Sequence, residues 1–260
     1  VRIKAVIGQG YKTPTVNELY HYWEMFPGAW HDMGPMGMKF VPGKFYEGNP
    51  DLKPEKSLSY ELAIEKDWGE KATVHLGAFR NEVKDLIETY GTGAFTNNTT
   101  HPGLAEQDAI QHYRNVPEAI LQGVELYGSH RLGKDIYLNA GYTFLDAKDK
   151  TGNKRLSDRA KHQFTFGVSY QPENIYAWDF NFDLVSNINY YCQDTDRSIM
   201  GKTFYKTKNF TIANIMTSRH LNKDTKIYLG IDNISNHQNF GAYSDGNLGR
   251  MYRVGMEYKF

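Results

Sequence analysis

A short segment, residues 21–38, concentrates side chains that could bind a metal-containing ligand. It holds two histidines, four methionines and four aromatic residues within 18 positions. A neutral imidazole is a good axial ligand for haem iron, methionine can serve as one, and aromatic rings can stack on a porphyrin. Exposed apolar clusters of this kind also mark binding surfaces. The candidate ligand-binding residues in this segment are His21, Tyr22, Trp23, Trp30, His31 and Met33.

Of the two histidines, His31 is the preferred iron ligand, because glycines and methionines flank it far from any strand end. At that position a loop could fold over a planar ligand. His21 is the second candidate. The alternative interpretation is that the segment folds on itself, with its methionines and tryptophans forming a small core of their own. His101, His112 and His237 are interpreted as solvated loop residues.

The elements that must position this segment are strands. From Gly249 to Phe260 apolar and polar residues alternate strictly, and a period of two predicts a strand with one apolar and one polar face. The same alternation recurs along the chain, most weakly in 203–219, where it does not fix the register. About ten strands are predicted: 1–11, 57–66, 72–90, 119–131, 136–145, 163–171, 178–188, 203–219, 226–234 and 249–260.

The connections between these strands alternate in length. Short turns fall at 68–71, 132–135, 172–175 and 221–224, whereas long loops fall at 14–56, 91–111, 147–158, 193–202 and 235–248. Bacterial outer-membrane barrels have short periplasmic turns and longer extracellular loops. The alternation therefore predicts a transmembrane antiparallel β-barrel with its long loops outside and its C-terminus in the periplasm.

Composition excludes several other classes of protein. With a mean hydropathy of −0.62, the chain has no apolar run of the roughly 18 to 20 residues that a membrane helix needs. A closed barrel is the other structure that satisfies every backbone group in lipid. The 30 acidic and 30 basic residues cancel, which gives no indication of nucleic-acid binding, and the single Cys192 excludes an internal disulfide.

Enzyme motifs are also lacking in the sequence, which has no Gly-rich phosphate loop and no recognisable Ser, His and Asp arrangement, so an enzyme is not expected. The absence of an initiating Met and of a signal peptide predicts a fragment of a longer secreted precursor.

Several motifs resemble those of one family of membrane proteins. The run Gly10–Tyr20, the run Asn49–Leu62, and Gln122–Glu125 at the start of a downward strand are similar to segments of TonB-dependent outer-membrane receptors. The tail from Asn233 through Gly249 to Phe260 is similar to the end of the same receptors. The resemblance covers essentially the whole chain, and the motifs are specific to the family in combination.

The resemblance implies an all-β barrel of about 22 strands whose lumen is filled by an N-terminal plug. Residues 1–260 are then expected to form the C-terminal part of that barrel, with the plug and the earlier strands absent from this chain. Receptors of this family are not enzymes. They bind an iron complex, haem or cobalamin and import it with energy supplied through TonB, which would contact the missing N-terminal segment. A monomer without an intrinsic cofactor is expected.

Within the family, a ferric-siderophore receptor is the preferred hypothesis. Its extracellular aromatic and basic residues would hold an anionic iron complex, and Arg197 and Tyr243 join the candidates for that role. The first alternative is a haem receptor that uses His31 or His21 as the iron ligand. A second alternative, from another class, is a passive porin or a structural surface barrel.

Outer-membrane lipid is the further expected partner. One charge run is interpreted as a solvated loop, with contact to lipopolysaccharide phosphates as an alternative: Lys148, Asp149, Lys150, Lys154, Arg155, Asp158 and Arg159.

Overall fold

The computed structural model describes residues 1–26, 29–32, 38–41, 44–95, 109–196, 202–237 and 249–260. Its first part contains β1 (Arg2–Lys12), α1 (Val16–Tyr20), β2 (Tyr22–Phe26), β3 (Ala29–Asp32), β4 (Met38–Val41), β5 (Lys44–Glu47), β6 (Glu55–Asp67) and β7 (Ala72–Phe95). The second part contains β8 (Ala109–Leu132), β9 (Ile136–Asp149), β10 (Lys154–Arg155), β11 (Arg159–Tyr170), β12 (Asp179–Asp196), β13 (Lys202–His220), β14 (Thr225–Asp232) and β15 (Met251–Tyr258). No helix in these ranges has the length and hydropathy to cross a membrane.

Ten long strands form one antiparallel meander in the order β1-β6-β7-β8-β9-β11-β12-β13-β14-β15. Each of the ten predicted strands corresponds to one of these, which confirms the predicted fold class. In the described residues β1 pairs only with β6, and β15 pairs only with β14. Such unpaired edges are not tolerated in lipid, so the sheet is consistent with part of a larger barrel.

One face of the sheet is a continuous apolar surface. The strand register places Ile64, Leu76, Leu126, Tyr142 and Phe164 side by side in one row across β6, β7, β8, β9 and β11. Leu76 is 50% exposed and Leu126 46% exposed. An apolar surface of this extent in contact with water would be costly. It matches the outward-facing apolar band of a membrane barrel.

The opposite face carries polar and charged side chains. Glu65 accepts a hydrogen bond from Lys4 at 2.7 Å and lies 3.5 Å from Arg2, while His75 Nδ1 lies 3.2 Å from the same carboxylate. The His75 ring stacks on Tyr127, with ring centroids 4.3 Å apart. This polar face matches the interior wall of a barrel whose lumen is wet or plugged.

The short and long connections lie at opposite ends of the sheet, as the sequence predicts. Gly69 and Gly133 adopt φ values of 68° and 67° in two of the short turns, a conformation that glycine adopts without steric cost. Lys259 N–H donates to Asp224 O at 2.8 Å, so the end of the described chain lies beside another short turn.

Two strands are longer than the alternation predicts. We expected 91–111 to be irregular, yet β7 continues to Phe95 and β8 begins at Ala109. β8 also runs through Pro117, which cannot donate to a ladder. In the register Pro117 lies opposite Asp85, whose φ is 57°.

The Asp85–Pro117 pair also inverts the alternation of faces. On the short-turn side of the pair Val83 and Ala119 are buried, and on the long-loop side Val116 is buried in the same small core. Within this core the buried positions of β7 and β8 are thus odd-numbered on one side of the kink, and the packed positions next to it on the other side, Leu86 and Val116, are even-numbered. Beyond the kink, even-numbered residues of β7 and β8 therefore take the face that carries odd-numbered residues in the rest of these two strands.

The charged segment 147–158 is not a solvated loop throughout, which corrects that prediction. Its central strand β10 pairs with β9, and Leu156 N–H donates to Ala147 O at 3.0 Å. Leu156 and Ala147 are buried in the small core formed with Val83, Val116 and Ala119. Arg155 donates to Asn189 Oδ1 at 2.9 Å, so its guanidinium is held against β12.

The first long connection also contains ordered elements. It holds α1 and four short strands, of which β2 pairs with β5, β5 pairs in parallel with β8, and β3 and β4 form a separate hairpin. Thr15 and Glu18 make a reciprocal capping box at the start of α1.

Candidate functional site

The first long connection is fastened to the barrel by its Asn49-Pro50-Asp51-Leu52 motif. Asn49 Nδ2 donates to Tyr113 O at 2.9 Å, and Leu52 is buried. Lys53 N–H donates to Asn115 Oδ1 at 2.8 Å, while Asn115 Nδ2 donates to Lys53 O at 2.9 Å. These bonds are reciprocal and involve backbone groups. They fix where the returning chain meets β8.

The other end of the connection is fastened by Lys12, the last residue of β1. Its ammonium lies 3.0 Å from Glu18 and 3.2 Å from Glu55, so it joins α1 to the start of β6. Partial burial alone would raise the pKa of Glu18, but bonds from Thr15 and the Lys12 charge outweigh it and hold that pKa below its usual range. Glu18 is therefore ionised at neutral pH and keeps α1 in place.

Between these two anchors a row of four polar and aromatic side chains crosses the outer end of the sheet. The pairings Tyr22↔Glu47, Glu47↔His112 and His112↔Tyr90 place one residue from each of β2, β5, β8 and β7 in line. Arg114 lies two residues along β8 from His112. We call Tyr22, Glu47, Tyr90, His112 and Arg114 the rim cluster.

The rim cluster is held by direct contacts. Tyr22 Oη donates to Glu47 Oε1 at 2.7 Å, and His112 Nε2 lies 3.5 Å from Glu47 Oε2. The Arg114 guanidinium lies 5.0 Å from the centre of the Tyr90 ring, within cation–π range. The Tyr90 and His112 ring centres are 6.1 Å apart. The cluster therefore combines aromatic faces, an imidazole, a carboxylate and a guanidinium on one surface.

Arg114 is also linked to the small core beneath it. Its Nη2 lies 3.4 Å from Glu88 Oε2, and the Ser157 hydroxyl donates to Glu88 Oε1 at 3.2 Å. Because Ser157 is buried next to Leu156, this link holds the guanidinium end of the Arg114 side chain, while 45% of that side chain stays exposed. Arg114 is thus oriented and accessible.

The electrostatics of the rim cluster suit ligand binding through hydrogen bonds rather than direct metal coordination. The hydrogen bond to the Glu47 carboxylate and its negative charge raise the pKa of Tyr22 above its usual value. Tyr22 is therefore a neutral hydroxyl at neutral pH, not a phenolate. Among the residues that the structure describes, no group of three His, Cys, Asp or Glu side chains is placed to hold a metal ion.

Beneath the row, Gln111 is 2% exposed, and its Nε2 has no hydrogen-bond partner among the described residues. Tyr46 is buried beside Tyr113, with ring centres 6.2 Å apart. Burial of Gln111 and Tyr46 therefore stabilises the pairing of β5 with β8, the two strands that carry Glu47 and His112.

The structure separates the residues that the sequence singled out. His21 ends α1, where its N–H donates to Asn17 O at 3.2 Å and its carbonyl accepts from Gly48 N at 2.8 Å. It therefore lies at the base of the connection. Tyr22 belongs to the rim cluster.

The other predicted site residues fall into two groups. The structure describes the backbone of Trp23 in β2, opposite Tyr46. Trp30 and His31 lie in the β3–β4 hairpin, which is not part of the main sheet. Met33, Arg197 and Tyr243 lie outside the described residues.

Sequence reasoning missed four members of the rim cluster: Glu47, Tyr90, His112 and Arg114. His112 was interpreted as a solvated loop residue, which is wrong, because it lies half-buried in β8 beside Glu47. Residues 110–114 read Ile-Gln-His-Tyr-Arg, which does not alternate apolar with polar residues, so the sequence carried no period-two signal for a strand there.

Comparison with known proteins identifies the family to which the chain is similar. The family model described as "TonB dependent receptor-like, beta-barrel" matches residues 1–234. An iron-regulated outer membrane virulence protein of Vibrio cholerae serotype O1 is 25% identical over 99% of this chain and 37% of its own length. The vitamin B12 transporter BtuB of Photobacterium profundum is 30% identical over 66% of this chain and 23% of its own length. Both are transport or outer-membrane proteins rather than enzymes.

Solved structures agree on the architecture. A mutant of the ferric enterobactin receptor of Pseudomonas aeruginosa superposes with a TM-score of 0.64 at 19% identity, covering 99% of this chain and 38% of that protein. The chain thus spans less than two fifths of the proteins it matches. Together with the match over residues 1–234, these findings show that the chain belongs to the TonB-dependent receptor β-barrel family.

Proposed function

We propose that this chain is the C-terminal part of the barrel of a monomeric receptor that actively imports a ferric siderophore across the outer membrane. The long connections, with the rim cluster, lie outside the cell, and the short turns and the C-terminus lie in the periplasm. Energy for import comes through TonB, which contacts a part of the receptor outside this chain. The receptor needs no resident cofactor.

The rim cluster is the observation that supports this proposal. Arg114 and Tyr90 present a cation and an aromatic face together, at the end of the sheet that carries the long connections. A guanidinium binds anionic oxygen ligands strongly, and aromatic faces add contact area. An anionic iron chelate satisfies both groups, whereas a passive porin makes no use of an anchored recognition surface. Family membership also removes the porin alternative.

Cobalamin import is the second candidate. The 30% identity to a vitamin B12 transporter favours it. The two ligands used in the test differ in charge, since ferric enterobactin is anionic and cyanocobalamin is neutral. Haem receives no support from the relatives named above, and His21 lies at the base of the connection instead of above the rim cluster.

Binding of ferric enterobactin and of cyanocobalamin to the full-length receptor tests the proposal by titration calorimetry. Arg114→Ala removes a charged donor, and such bonds contribute about 1.5–3 kcal/mol, so affinity for ferric enterobactin should fall about tenfold or more. Arg80→Ala is the matched control. Arg80 also pairs with a glutamate, at 2.8 Å, but lies in the row of Tyr60 on the apolar face.

The outcomes separate the candidates. Saturable binding of cyanocobalamin that does not depend on Arg114 would establish the second candidate instead. A Soret shift on addition of haemin that is lost in His31→Ala or His21→Ala would establish the haem alternative. Equal affinities for ferric enterobactin in Arg114→Ala and Arg80→Ala would refute the role assigned to the rim cluster.

A further inference from the structure

A groove interrupts the apolar face near the short turns. One row of that face runs through Lys66, Val74, Gly128, Ala140 and Phe166, according to the register of β6, β7, β8, β9 and β11. The two central residues of this row carry almost no side chain. The floor of the groove is therefore Gly128 and Ala140, and larger residues stand on both sides.

The groove has a volume of about 660 Å³, within the range of small-molecule sites. Its apolar walls include Val74, Leu138 and Phe166, and Trp68 closes it at the short-turn end. It lies on four strands in the middle of the sheet. Its lining is therefore complete in this chain and does not depend on strands that precede β1.

The short-turn end of the groove is cationic. Lys71 lines it, and its ammonium makes no ion pair within the part of the chain that the structure describes. Lys66 Nζ lies 4.7 Å from the centre of the Trp68 ring. The acidic residue of the same turn, Glu70, is directed to Arg131 at 3.4 Å. Two lysines beside a half-exposed tryptophan are typical of the boundary between membrane and water.

We propose that this groove binds one glycerophospholipid of the periplasmic leaflet. One acyl chain lies over Gly128 and Ala140, and the phosphate is held by Lys71 and Lys66. The positive charge at the short-turn end of the groove favours this occupant over a second copy of the chain. A two-fold contact through the groove would bring the same lysines of both copies together. The inference rests on the orientation given under Proposed function.

Native mass spectrometry of the full-length receptor, titrated with phosphatidylglycerol in detergent, tests the site. Loss of one lysine charge near a lipid surface should weaken the first lipid adduct about fivefold in Lys71→Gln. Ala140→Leu fills the floor with an apolar side chain and should abolish that adduct. Lys223→Gln, in another short turn, is the matched control and should bind lipid as the parent does.

Heat-modifiable migration in gels verifies that each variant is folded, and Lys71→Gln tests the site even if Ala140→Leu does not assemble. Equal lipid occupancy in all variants, or a dimer in place of the lipid adduct, overturns the proposal. Retention of lipopolysaccharide that depends on Lys71 would overturn the orientation as well. Loss of the lipid adduct with unchanged siderophore binding leaves the proposed function standing, so the two failures are distinguishable.

Discussion

Replacing Asn115 with alanine removes three hydrogen bonds at the point where the first long connection meets β8. Asn115 accepts from Lys53 N–H at 2.8 Å and donates to Lys53 O at 2.9 Å and to Asp85 O at 2.7 Å. A hydrogen bond contributes about 0.5–1.5 kcal/mol net, so the two bonds to Lys53 contribute about 1–3 kcal/mol. Local opening at Lys53 should therefore increase about 5- to 150-fold in Asn115→Ala.

Hydrogen–deuterium exchange of the full-length receptor measures this directly, because the Lys53 amide is itself one of the donors. We expect faster exchange at Lys53 and in the adjoining 49–52 segment, and unchanged exchange rates in the long strands of the main sheet. Asn81→Ala is the matched control, since Asn81 accepts a single bond, from Ser59 at 3.3 Å, on the polar face. Unchanged protection at Lys53 in a folded Asn115→Ala receptor would refute the assignment of the motif as an anchor.

Two further predictions concern packing and pH. A Cβ at Gly123 would collide with the carbonyl oxygen of Phe144 on β9, whereas one at Gly230, on β14, would make only ordinary contacts, the nearest at 3.5 Å. Gly123→Ala should therefore destabilise the barrel by about 1–3 kcal/mol in thermal unfolding, and Gly230→Ala should not; equal stabilities would contradict the packing described. Because the pKa of Glu18 is lowered in the folded state, its stabilisation of α1 is complete at neutral pH and is lost as pH falls below the usual range for glutamate. Protection factors at residues 15–20, taken relative to the intrinsic exchange rate at each pH, should fall on acidification in the parent and be low at every pH in Glu18→Gln; protection factors that do not change with pH in the parent would contradict this.

Period-two alternation made most of the sheet predictable. In the pairing of β14 with β15, Leu229 faces Val254 and Ile231 faces Tyr252, and each of these residues lies on the apolar side expected from its own strand. Membrane barrels display this pattern clearly because lipid and lumen impose opposite demands on adjacent residues. The lengths of the connections also predicted which end of each strand meets a short turn and which end meets a long loop. Turn residues such as Gly69 and Gly133 are recognisable without a structure.

The rim cluster was not predictable by the same route, for two physical reasons. The faces of β7 and β8 invert at Asp85 and Pro117, which breaks the period of two on which the strand prediction depended. The sequence pattern therefore could not place His112 beside any other residue. The second reason is tertiary: Glu47 reaches His112 only because β5 pairs in parallel with β8, a contact between residues far apart in the chain. The resemblance to receptor motifs located Asn49 and Leu52 but not the residues to which they attach.

The kink at Asp85 and Pro117 divides β7 and β8 into two parts with independent design rules. The part on the short-turn side must satisfy the membrane, whereas the part on the long-loop side carries Tyr90, His112 and Arg114 of the rim cluster, with its alternation reset. Residues 85–117 therefore form a natural exchange unit between related receptors. A chimaera with junctions at this pair would transfer the whole ribbon with its faces unchanged, whereas adding or omitting one residue at a junction would turn the side chains beyond it to the opposite face.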